Sequence, residues 1–312
     1  MKALVTGAAG FIGSTLAERL VADGAAVVGI DCFTDYYPRA LKERNLAGLR
    51  QSQAFRFVED DLLTVDSAVL DGVTHVFHLA AQAGVRKSWG RDFDIYVANN
   101  ISATQRLLEL SAGRSLARFV YASTSSVYGD EAAIPMREDA RLQPVSPYGV
   151  SKLAAEHLGH LYHVNHGVPF VALRYFTVYG PRQRPDMGFH RFLTAAMDGK
   201  ALARYGDGEQ TRDFTYVDDA VAATVAAATR GAPGGIYNVG GGSRVTVNHV
   251  FDLIGRITGL PVTIDEQPSQ KGDMRDTYAD TSRAARDLGF APSVTLEQGL
   301  TQEYAWLRSE RA

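Results

Sequence analysis

The chain has a single cysteine, Cys32, and little excess charge of either sign. One cysteine cannot form an internal disulfide bond, which favours a reducing compartment. The formal net charge of −3 shows no basic excess, so no nucleic-acid partner is predicted. No apolar run reaches the length of a membrane span, so no membrane partner is predicted either. A strand-like run begins at residue 2 and leaves no room for a signal peptide, so we expect a cytoplasmic protein.

Glycine is abundant, and three glycines follow the first strand-like run, at 2–6, with a spacing that carries chemistry. Gly7 permits a tight turn from strand to helix, and Gly10 lets the backbone approach a pyrophosphate. Gly13 lets the following apolar-periodic helix pack close to the sheet, with its positive end toward the phosphates. The pattern therefore predicts a dinucleotide-binding site.

An acidic residue, Asp31, ends the second strand-like run at 26–30. This position, about 20 residues after the glycines, is where a dinucleotide site places the acid that binds the adenine ribose. A carboxylate there accepts the ribose hydroxyls and repels a 2′-phosphate. No arginine follows, since the next residues are Cys32 and Phe33. We therefore predict NAD rather than NADP as the cofactor.

Strand-like and helical patterns alternate through the first half of the chain. Further runs that predict strands lie at 55–58, 75–79, 118–122 and 169–174, and helical patterns lie at 100–110 and 151–162. Such alternation predicts an α/β fold with a doubly wound parallel sheet of the Rossmann type. Ligands bind such a sheet at the carboxyl ends of its strands.

The composition of the sequence changes from Gly180 onward, where predicted loops are rich in proline, glycine and arginine. Strand-like runs return at 212–217 and 236–239, and helical patterns follow at 247–258 and 282–288. We predict a smaller, discontinuous C-terminal lobe that binds the substrate. The expected division is 1–176 plus 213–242 for the NAD-binding domain, and 177–212 plus 243–312 for the lobe.

Tyr148 and Lys152 are four residues apart in a helical pattern, so they lie on one face of the helix. An ammonium near a phenol stabilises the phenolate and is expected to lower the tyrosine pKa from its usual value of about 10. Such a phenol can act as a general base near neutral pH. Tyr-x-x-x-Lys alone is a weak signal, but here it accompanies a dinucleotide fingerprint.

These motifs resemble those of extended short-chain dehydrogenases/reductases, and specifically of nucleotide-sugar epimerases. The resemblance covers essentially the whole chain and is closest to bacterial UDP-glucuronate 4-epimerases. Two local departures are Cys32, where a polar residue often follows the ribose acid, and Thr177, where galactose epimerases carry an asparagine. The motifs are GAAGFIG at 7–13, HLAAQAGV at 78–85, YASTSSVYGD at 121–130, SPYGVSK at 146–152, LRYFTVYGPRQRPDM at 173–187 and RDFTYVDD at 212–219.

The resemblance implies NAD-dependent C4 epimerisation of UDP-glucuronic acid to UDP-galacturonic acid through a transient 4-keto sugar, without decarboxylation. In this reaction Tyr148 removes the 4-hydroxyl proton, Lys152 holds the phenolate and a nicotinamide ribose hydroxyl, and Thr124 relays or orients the proton. Related dehydratases and decarboxylases carry an acid two positions after the threonine. Here that position is Ser126, which favours an epimerase that keeps the carboxylate in place.

The resemblance also implies contacts for both ligands. The expected cofactor contacts are Gly7, Gly10, Phe11, Ile12, Gly13, Asp31, Asp61, Leu62, Leu79, Ala80, Ala81, Asn100, Ser123, Tyr148, Lys152 and Tyr175. The expected contacts of the UDP-sugar are Arg86, Ser88, Thr124, Ser125, Ser126, Tyr148, Thr177, Arg184, Met187, Arg212 and Arg275.

Three arginines are candidates for the anionic parts of the UDP-sugar. We expect Arg184 to bind the sugar carboxylate through charge-assisted hydrogen bonds, with a structural role in its loop as the alternative. We expect Arg212 and Arg275 to bind the diphosphate, with Asp213 and Asp273 orienting their loops. Surface salt bridges are the alternative for this second group.

Four histidines recur every three residues, but we predict no metal site. A spacing of three drifts around a helix of 3.6 residues per turn, and no cysteine accompanies these side chains. The histidines are His157, His160, His163 and His166.

Two other hypotheses remain open at the level of sequence. The first is an epimerase for neutral UDP-glucose or UDP-N-acetylglucosamine, and the second is a non-catalytic NAD-sensing module. The presence of both Tyr148 and Lys152 argues against the second. The family resemblance also implies a homodimer formed through the helices at 100–110 and 151–162.

Overall fold

The computed structural model describes residues 1–270 and 272–311. Strands and helices alternate through the first half of the chain, as the sequence predicts. The strands are β1 (Lys2–Thr6), β2 (Ala26–Asp31), β3 (Phe55–Glu59), β4 (His75–His78), β5 (Arg118–Thr124), β6 (Phe170–Tyr175), β7 (Thr177–Tyr179), β8 (Leu202–Tyr205), β9 (Thr211–Tyr216), β10 (Ile236–Val239), β11 (Arg244–Thr246) and β12 (Ile264–Gln267). The helices are α1 (Phe11–Ala22), α2 (Arg39–Ala47), α3 (Phe93–Tyr96), α4 (Ala103–Ser111), α5 (Pro147–His166), α6 (Gly188–Met197), α7 (Val217–Arg230), α8 (Val247–Thr258), α9 (Ser282–Leu288) and α10 (Leu296–Ser309).

The central sheet has seven strands in the order β10-β6-β5-β4-β1-β2-β3, and all of its pairs are parallel. The chain runs outward from β1 to β3 and then returns to β4 on the other side of β1. The strand order therefore reverses between β1 and β4, and a crevice opens at their carboxyl ends. The predicted doubly wound Rossmann fold is confirmed.

Continuous burial explains why these runs form a parallel sheet. All six residues of β6 are buried, and β1 is buried after its first residue. Strands of this kind need helices on both faces of the sheet. Leu16 and Leu20 of α1 belong to an apolar cluster on one side, while Ala155 and Tyr162 of α5 belong to a second cluster.

Two small sheets lie outside the central sheet, in the orders β11-β9-β7 and β12-β8. Strand β9, which opens the segment 213–242, pairs with β7 and β11 rather than with the central sheet. Strand β10, near the end of that segment, pairs with β6 at the edge of the central sheet. The segment thus contributes to both parts, and the predicted domain division stays a proposal.

Helix α5 begins and ends at strong local signals. The Ser146 hydroxyl accepts a hydrogen bond from the Gly149 amide (3.1 Å), and Pro147 occupies the first turn. The helix ends at Gly167, whose φ of 68° is left-handed. A Cβ on Gly159 would lie 2.1 Å from the ring of Phe170, so glycine lets α5 pack directly against β6.

The helix predicted at 100–110 is interrupted in the structure. A π-helical turn spans Val97–Ser102, and a regular α-helix begins only at Ala103. Each hydrogen bond of a π turn encloses one more residue than in an α turn, so the side chains change face.

Among the described residues, no helix is long and apolar enough to cross a bilayer.

Candidate active site

A glycine cradle connects the end of β1 with the start of α1. Gly7 has a φ of 69°, in the left-handed region that favours glycine. A Cβ on Gly13 would lie 2.1 Å from the Gly7 carbonyl oxygen, so no larger residue fits there. Gly10 caps α1 without a side-chain hydrogen bond, which leaves the amides of the first turn available to an anion. The cradle therefore fits the pyrophosphate of a dinucleotide.

Asp31 lies at the edge of the cavity above this cradle. Its Oδ1 accepts a hydrogen bond from the Phe33 amide (2.9 Å), and its Oδ2 accepts one from the Ala9 amide (3.2 Å). Burial raises the pKa of this carboxyl, while these amides and the Lys42 ammonium oppose the change. The carboxylate is held at the position where a dinucleotide presents its adenine ribose.

The cavity continues from the cradle along the carboxyl ends of β4, β5 and β6. The predicted cofactor contacts that line it are Gly7, Gly10, Phe11, Ile12, Gly13, Asp31, Asp61, Leu62, Leu79, Ala80, Ala81, Ser123, Tyr148, Lys152 and Tyr175. The placement of these residues around one cavity supports the NAD prediction, and each individual contact remains a proposal.

Asn100 was also predicted to contact the cofactor, but it lies behind the cavity wall. Its Nδ2 donates to the Ser151 hydroxyl (2.9 Å) and to the Gln82 carbonyl (3.0 Å), and its Oδ1 accepts from the Gln82 amide (2.7 Å). The π turn brings Asn99 to the cavity instead. Asn100 therefore joins the loop after β4 to helix α5 and does not line the cofactor cavity.

Lys152 lines the same cavity from α5 and is only 3% exposed. Its ammonium lies 4.3 Å from the centre of the Tyr121 ring, a favourable cation–π arrangement. Burial lowers the pKa of Lys152 to about 7, and the nearby Glu156 carboxylate opposes this change. The protonation state of Lys152 is therefore sensitive to its neighbours near neutral pH.

Tyr148 lines the cavity one turn before Lys152. Burial raises the pKa of its phenol, while the nearby Thr124 hydroxyl and the charge of Arg184 oppose the change. The expected lowering of the Tyr148 pKa is therefore wrong for the protein without ligands, because the loss of hydration outweighs these effects. The Thr124 hydroxyl donates to Ser126 Oγ (3.3 Å), and its role in proton transfer stays a prediction.

A second cavity lies beside the end of β5, between the central sheet and the small sheets. The predicted substrate contacts that line it are Arg86, Ser125, Ser126, Thr177, Met187 and Arg212. Apart from Asp273, the rest of its wall was not predicted from the sequence, because apolar residues carry no signal that separates a cavity wall from a core. Those residues are Val85, Gln183, Gly188, Phe189, Phe192, Phe214, Val247, Val250, Gly272, Asp273, Met274 and Thr277. Hydroxyls, arginines and an apolar wall together suit a sugar, a diphosphate and a base.

The arginines of the second cavity are held by their surroundings. Arg86 pairs with Asp273 (2.7 Å), and its guanidinium lies 4.1 Å from the centre of the Tyr205 ring. Arg212 donates to the carbonyl of Arg275 (2.9 Å). We expected Asp273 to orient the loops that carry Arg212 and Arg275. In the structure it pairs with Arg86 and orients that arginine.

Asp213 ties two loops of the lobe together, close to its expected role. It accepts hydrogen bonds from the amides of Gly241 (2.7 Å) and Ala279 (3.0 Å). Burial raises the pKa of Asp213 to about 6 against the effect of these amides.

Three predicted substrate contacts line neither cavity, and they are Ser88, Thr124 and Arg275. Thr124 lies in the chain between Ser123 of the cofactor cavity and Ser125 of the second cavity. Ser88 is fully buried and donates to the Val85 carbonyl (2.7 Å), because a short 3₁₀ turn points it inward. The Arg275 side chain is 64% exposed and pairs with Asp207 (3.3 Å). Its neighbour Met274 faces the second cavity, so Arg275 points outward.

Arg184 lies on the wall of the cofactor cavity and not on the wall of the second cavity. Its Nε and Nη2 donate to the two oxygens of Asp186 (3.0 Å each), which also accepts from the Tyr36 hydroxyl (3.1 Å). Burial acts against the Arg184 charge, but Asp186 outweighs it and raises the arginine pKa. The charge of Arg184 also acts on Tyr148, so this arginine faces the reacting end of the cavity.

Sequence reasoning missed the loop after β2 as part of the cofactor cavity. Thr34, Tyr36 and Tyr37 line the cavity together with Lys42 at the start of α2. Phe33 adopts a left-handed φ of 52°, which turns this loop over the cavity. The run of aromatic and hydroxyl side chains at 33–37, directly after Asp31, is the signal that could have identified this loop.

A glycine cradle, an acid at the position expected for a ribose-binding residue and a Tyr–Lys pair line one cavity, and this combination is typical of dinucleotide-dependent enzymes. Within residues 1–270 and 272–311, no group of three or more metal-ligating side chains accompanies it.

Comparison with known proteins agrees with this class. The sequence profile of the NAD dependent epimerase/dehydratase family matches residues 3–240. The chain is 48% identical over 314 residues to an uncharacterized UDP-glucose epimerase of Bacillus subtilis, covering 99% of this chain and 98% of that protein. It is 38% identical over 311 residues to the UDP-glucuronate 4-epimerase of Thermodesulfobacterium geofontis, covering 97% of this chain and 95% of that protein.

A solved structure is also similar over the whole chain. It is the UDP-glucuronic acid 4-epimerase of Bacillus cereus in complex with UDP-glucuronic acid and NAD. The TM-score is 0.97 at 45% identity, covering 99% of this chain and 100% of that one. The chain therefore belongs to the NAD-dependent epimerase/dehydratase family.

The position of Asp31 predicts the choice of cofactor. Asp31→Asn removes a charged acceptor, so NAD should bind roughly 10- to 200-fold more weakly, while the preference over NADP should shrink. Calorimetry on cofactor-free protein measures both affinities. Asp35→Asn, which changes an exposed acid of the same loop that does not line the cavity, is the matched control. Equal affinities of the unaltered protein for NAD and NADP would show that Asp31 is misassigned.

Proposed function

We propose that this protein is an NAD-dependent 4-epimerase that interconverts UDP-glucuronic acid and UDP-galacturonic acid through a transient 4-keto sugar. The observation that carries the proposal is the location of the Tyr148–Thr124 pair. Tyr148 lines the cofactor cavity, and Thr124 leads directly into Ser125 and Ser126 of the second cavity. A sugar bound at this junction would have its hydroxyl beside Tyr148, and the cofactor cavity would supply the hydride acceptor.

The chemistry follows from the position of the stereocentre. The hydrogen at C4 of a pyranose is not activated, so its direct removal as a proton is prohibitively slow. Oxidation to a ketone removes the stereocentre, and reduction from the other face restores it inverted. NAD supplies the reversible hydride acceptor for this step. The protein must bind the sugar, move the hydroxyl proton and let the ring turn over.

Tyr148 accepts the 4-hydroxyl proton in this account, and Thr124 orients the hydroxyl. The phenol needs help to ionise because burial raises its pKa. Lys152, one turn away, supplies a positive charge while it remains an ammonium. The same groups return the proton when the ketone is reduced.

Neutral hydroxyls around the second cavity explain how the carboxylate is retained. A 4-keto glucuronate is a β-keto acid, which loses CO₂ when the bond to its carboxylate aligns with the carbonyl π system. Ser125, Ser126 and Thr177 offer hydrogen bonds that hold the carboxylate out of this alignment. No acid occupies the position two residues after Thr124 that related dehydratases and decarboxylases use.

Arg184 is the cation proposed for the carboxylate. C5 is bonded to C4, so a carboxylate on C5 lies close to the carbon on which Tyr148 acts. Arg184 is near enough to Tyr148 for its charge to act on the phenol. Asp186 fixes the guanidinium from the other side. The carboxylate then enters a site whose cation is already oriented.

A neutral substrate such as UDP-glucose is the second candidate. The Bacillus subtilis relative, at 48% identity, is named as a UDP-glucose epimerase. The pairing of Arg184 with Asp186 also neutralises the cation that would otherwise select an acidic sugar. The two candidates differ in how strongly turnover depends on Arg184.

We also propose a homodimer at work in the cytoplasm, formed through the helices expected at 100–110 and 151–162, which correspond to α4 and α5, and extended by the adjoining α3. Val150, Leu161 and Val164 are 47%, 53% and 64% exposed and follow one stripe of α5. Ile95 of α3, which packs beside α5, is 47% exposed. A second copy of this face would cover the stripe. The single cysteine supports the reducing compartment.

Tyr148→Phe deletes the proposed base but keeps the ring. Turnover should fall by roughly 100-fold or more with folding preserved, as measured by product formation and thermal melting. Tyr96→Phe is the matched control, because that hydroxyl donates to the carbonyls of Ala83 (3.0 Å) and Gly84 (2.7 Å) and should matter far less. Near-full turnover by Tyr148→Phe would end this mechanism.

Arg184→Ala tests the carboxylate contact. It removes a charge-assisted hydrogen bond worth about 1.5–3 kcal/mol, so kcat/KM for UDP-glucuronate should fall roughly 10- to 200-fold. Turnover of UDP-glucose should change little, and the variant should release some CO₂ with a UDP-4-keto-pentose. Arg182→Ala, which breaks a pair with Glu18 (2.9 Å) in the same loop, is the control. Equal losses on both sugars would assign Arg184 to another role.

Leu161→Glu tests the proposed dimer. A charge in the centre of the apolar stripe must be desolvated on association, so sedimentation velocity should show a monomer in place of the dimer. Ile264→Glu, at an apolar side chain of β12 that is 43% exposed, is the matched control and should leave the mass unchanged. A Leu161→Glu dimer, or a monomeric unaltered protein, would contradict the proposal.

A further inference from the structure

Behind the catalytic pair lies an ion pair that the mechanism above does not use. Glu156 of α5 and Arg174 of β6 are 4% and 1% exposed. Arg174 Nη2 donates to Glu156 Oε2 (2.9 Å), and Arg174 Nε donates to Oε1 (3.1 Å). The Ser123 hydroxyl also donates to Oε1. The carboxylate thus has all of its hydrogen bonds in the direction of the sheet.

The arginine is fixed as firmly as the acid. Its Nη1 donates to the Tyr128 hydroxyl (3.0 Å) and to the Glu138 carbonyl (3.1 Å), and Tyr128 in turn donates to Asn238 (2.6 Å). This network joins α5, β6 and β10 behind the cavity. Burial of two charges carries a desolvation penalty that their attraction often only balances, so stability alone does not explain the pair.

The pair lies next to two parts of the site. Glu156 is one helical turn after Lys152, on the same face of α5. Ser123, which Glu156 holds, lines the cofactor cavity. Because its hydrogen bonds go to Ser123 and Arg174, Glu156 acts on Lys152 through space rather than by contact.

The groups around Lys152 leave Glu156 as the charge that acts on it. Tyr148 on its own helix and Tyr121 on β5 are neutral phenols whose pKa is raised by burial. His78 on β4 is fully buried, and burial lowers its pKa to about 3, so it is neutral as well. Glu156 is the group that opposes the effect of burial on the Lys152 pKa.

We propose that Glu156, fixed by Arg174, is a positioning residue that keeps Lys152 an ammonium at neutral pH and holds Ser123 in the cavity wall. The proposal deepens the function above and rests on it only for the role of the ammonium. The two hydrogen bonds from Arg174 fix the position of the Glu156 carboxylate relative to Lys152. Glu156 touches neither substrate nor cofactor and acts through Lys152.

Glu156→Gln is the test, because the amide keeps the shape and an acceptor but loses the charge. Without the carboxylate, burial lowers the Lys152 pKa further, and the ammonium exists only below that pKa. The alkaline limb of the kcat/KM profile should therefore move to lower pH, by roughly one unit. At low pH Lys152 is protonated in both proteins, so the variant should approach the activity of the unaltered protein there. A purely structural role would reduce activity at every pH without moving the limb.

A direct titration separates this proposal from the proposed function. The chain has six lysines, so ¹⁵N NMR of selectively labelled lysine, assigned with Lys152→Arg, follows the Lys152 ammonium without any substrate. The pKa should fall in Glu156→Gln and stay unchanged in Glu303→Gln, a fully buried carboxyl that accepts from the Gly180 amide (2.9 Å) on another element. An unchanged Lys152 pKa in Glu156→Gln overturns the proposal whatever the substrate is.

A second variant is the control for misfolding. Glu156→Gln leaves Arg174 with a weaker partner, so the double variant Glu156→Gln with Arg174→Met replaces the pair by neutral side chains of similar size. It should melt cooperatively, and the Lys152 pKa should still fall, although by less than in Glu156→Gln because the positive charge of Arg174 is removed as well. In the unaltered protein, a Lys152 ammonium lost well below pH 7 would contradict the proposal without any variant.

Discussion

The contact between the start of α5 and the turn after β5 is the constraint on which the site depends. A Cβ on Gly149 would lie 2.5 Å from the Ser126 carbonyl oxygen, so only glycine allows the helix to come this close. The approach brings Tyr148 beside Thr124 and lets Lys152 reach the cofactor cavity from the next turn. One helix and one strand end thus supply the proposed base, its partner hydroxyl and its cation.

Three arginines around the site are each held by a carboxylate, at different depths. The pairs are Arg174–Glu156, Arg184–Asp186 and Arg86–Asp273, with arginine side chains 1%, 20% and 38% exposed. The most buried pair is locked and suits a constant charge behind the catalytic lysine. In the two more exposed pairs the arginine lines a cavity, and its carboxylate partner orients the guanidinium for an anionic group of a ligand. An arginine oriented in this way needs less reorganisation than a free arginine when the anion binds.

Much of this arrangement is predictable from the sequence because it depends on local pattern. Apolar runs with glycine-rich turns predict the parallel sheet, and Asp31 falls at the end of β2 as expected. Asn100, Ser88 and Arg275 were misplaced because a π turn, a 3₁₀ turn and the alternation of one loop decide which side chain faces a cavity. The direction of the Tyr148 pKa was wrong because burial depends on the packed structure. The types and spacing of residues thus predict the chemistry of the site well, but they predict poorly how deeply each side chain is buried and which way it faces.

The central claim is that the C4 stereocentre is inverted by oxidation and reduction at one carbon while the carboxylate stays attached. UDP-glucuronate that carries deuterium at C4 tests it most directly, with products analysed by NMR and mass spectrometry. The account predicts UDP-galacturonate that keeps the deuterium at C4, with no release of CO₂. Deuterium lost to water, or a UDP-4-keto-pentose with CO₂ in place of the epimer, would contradict it.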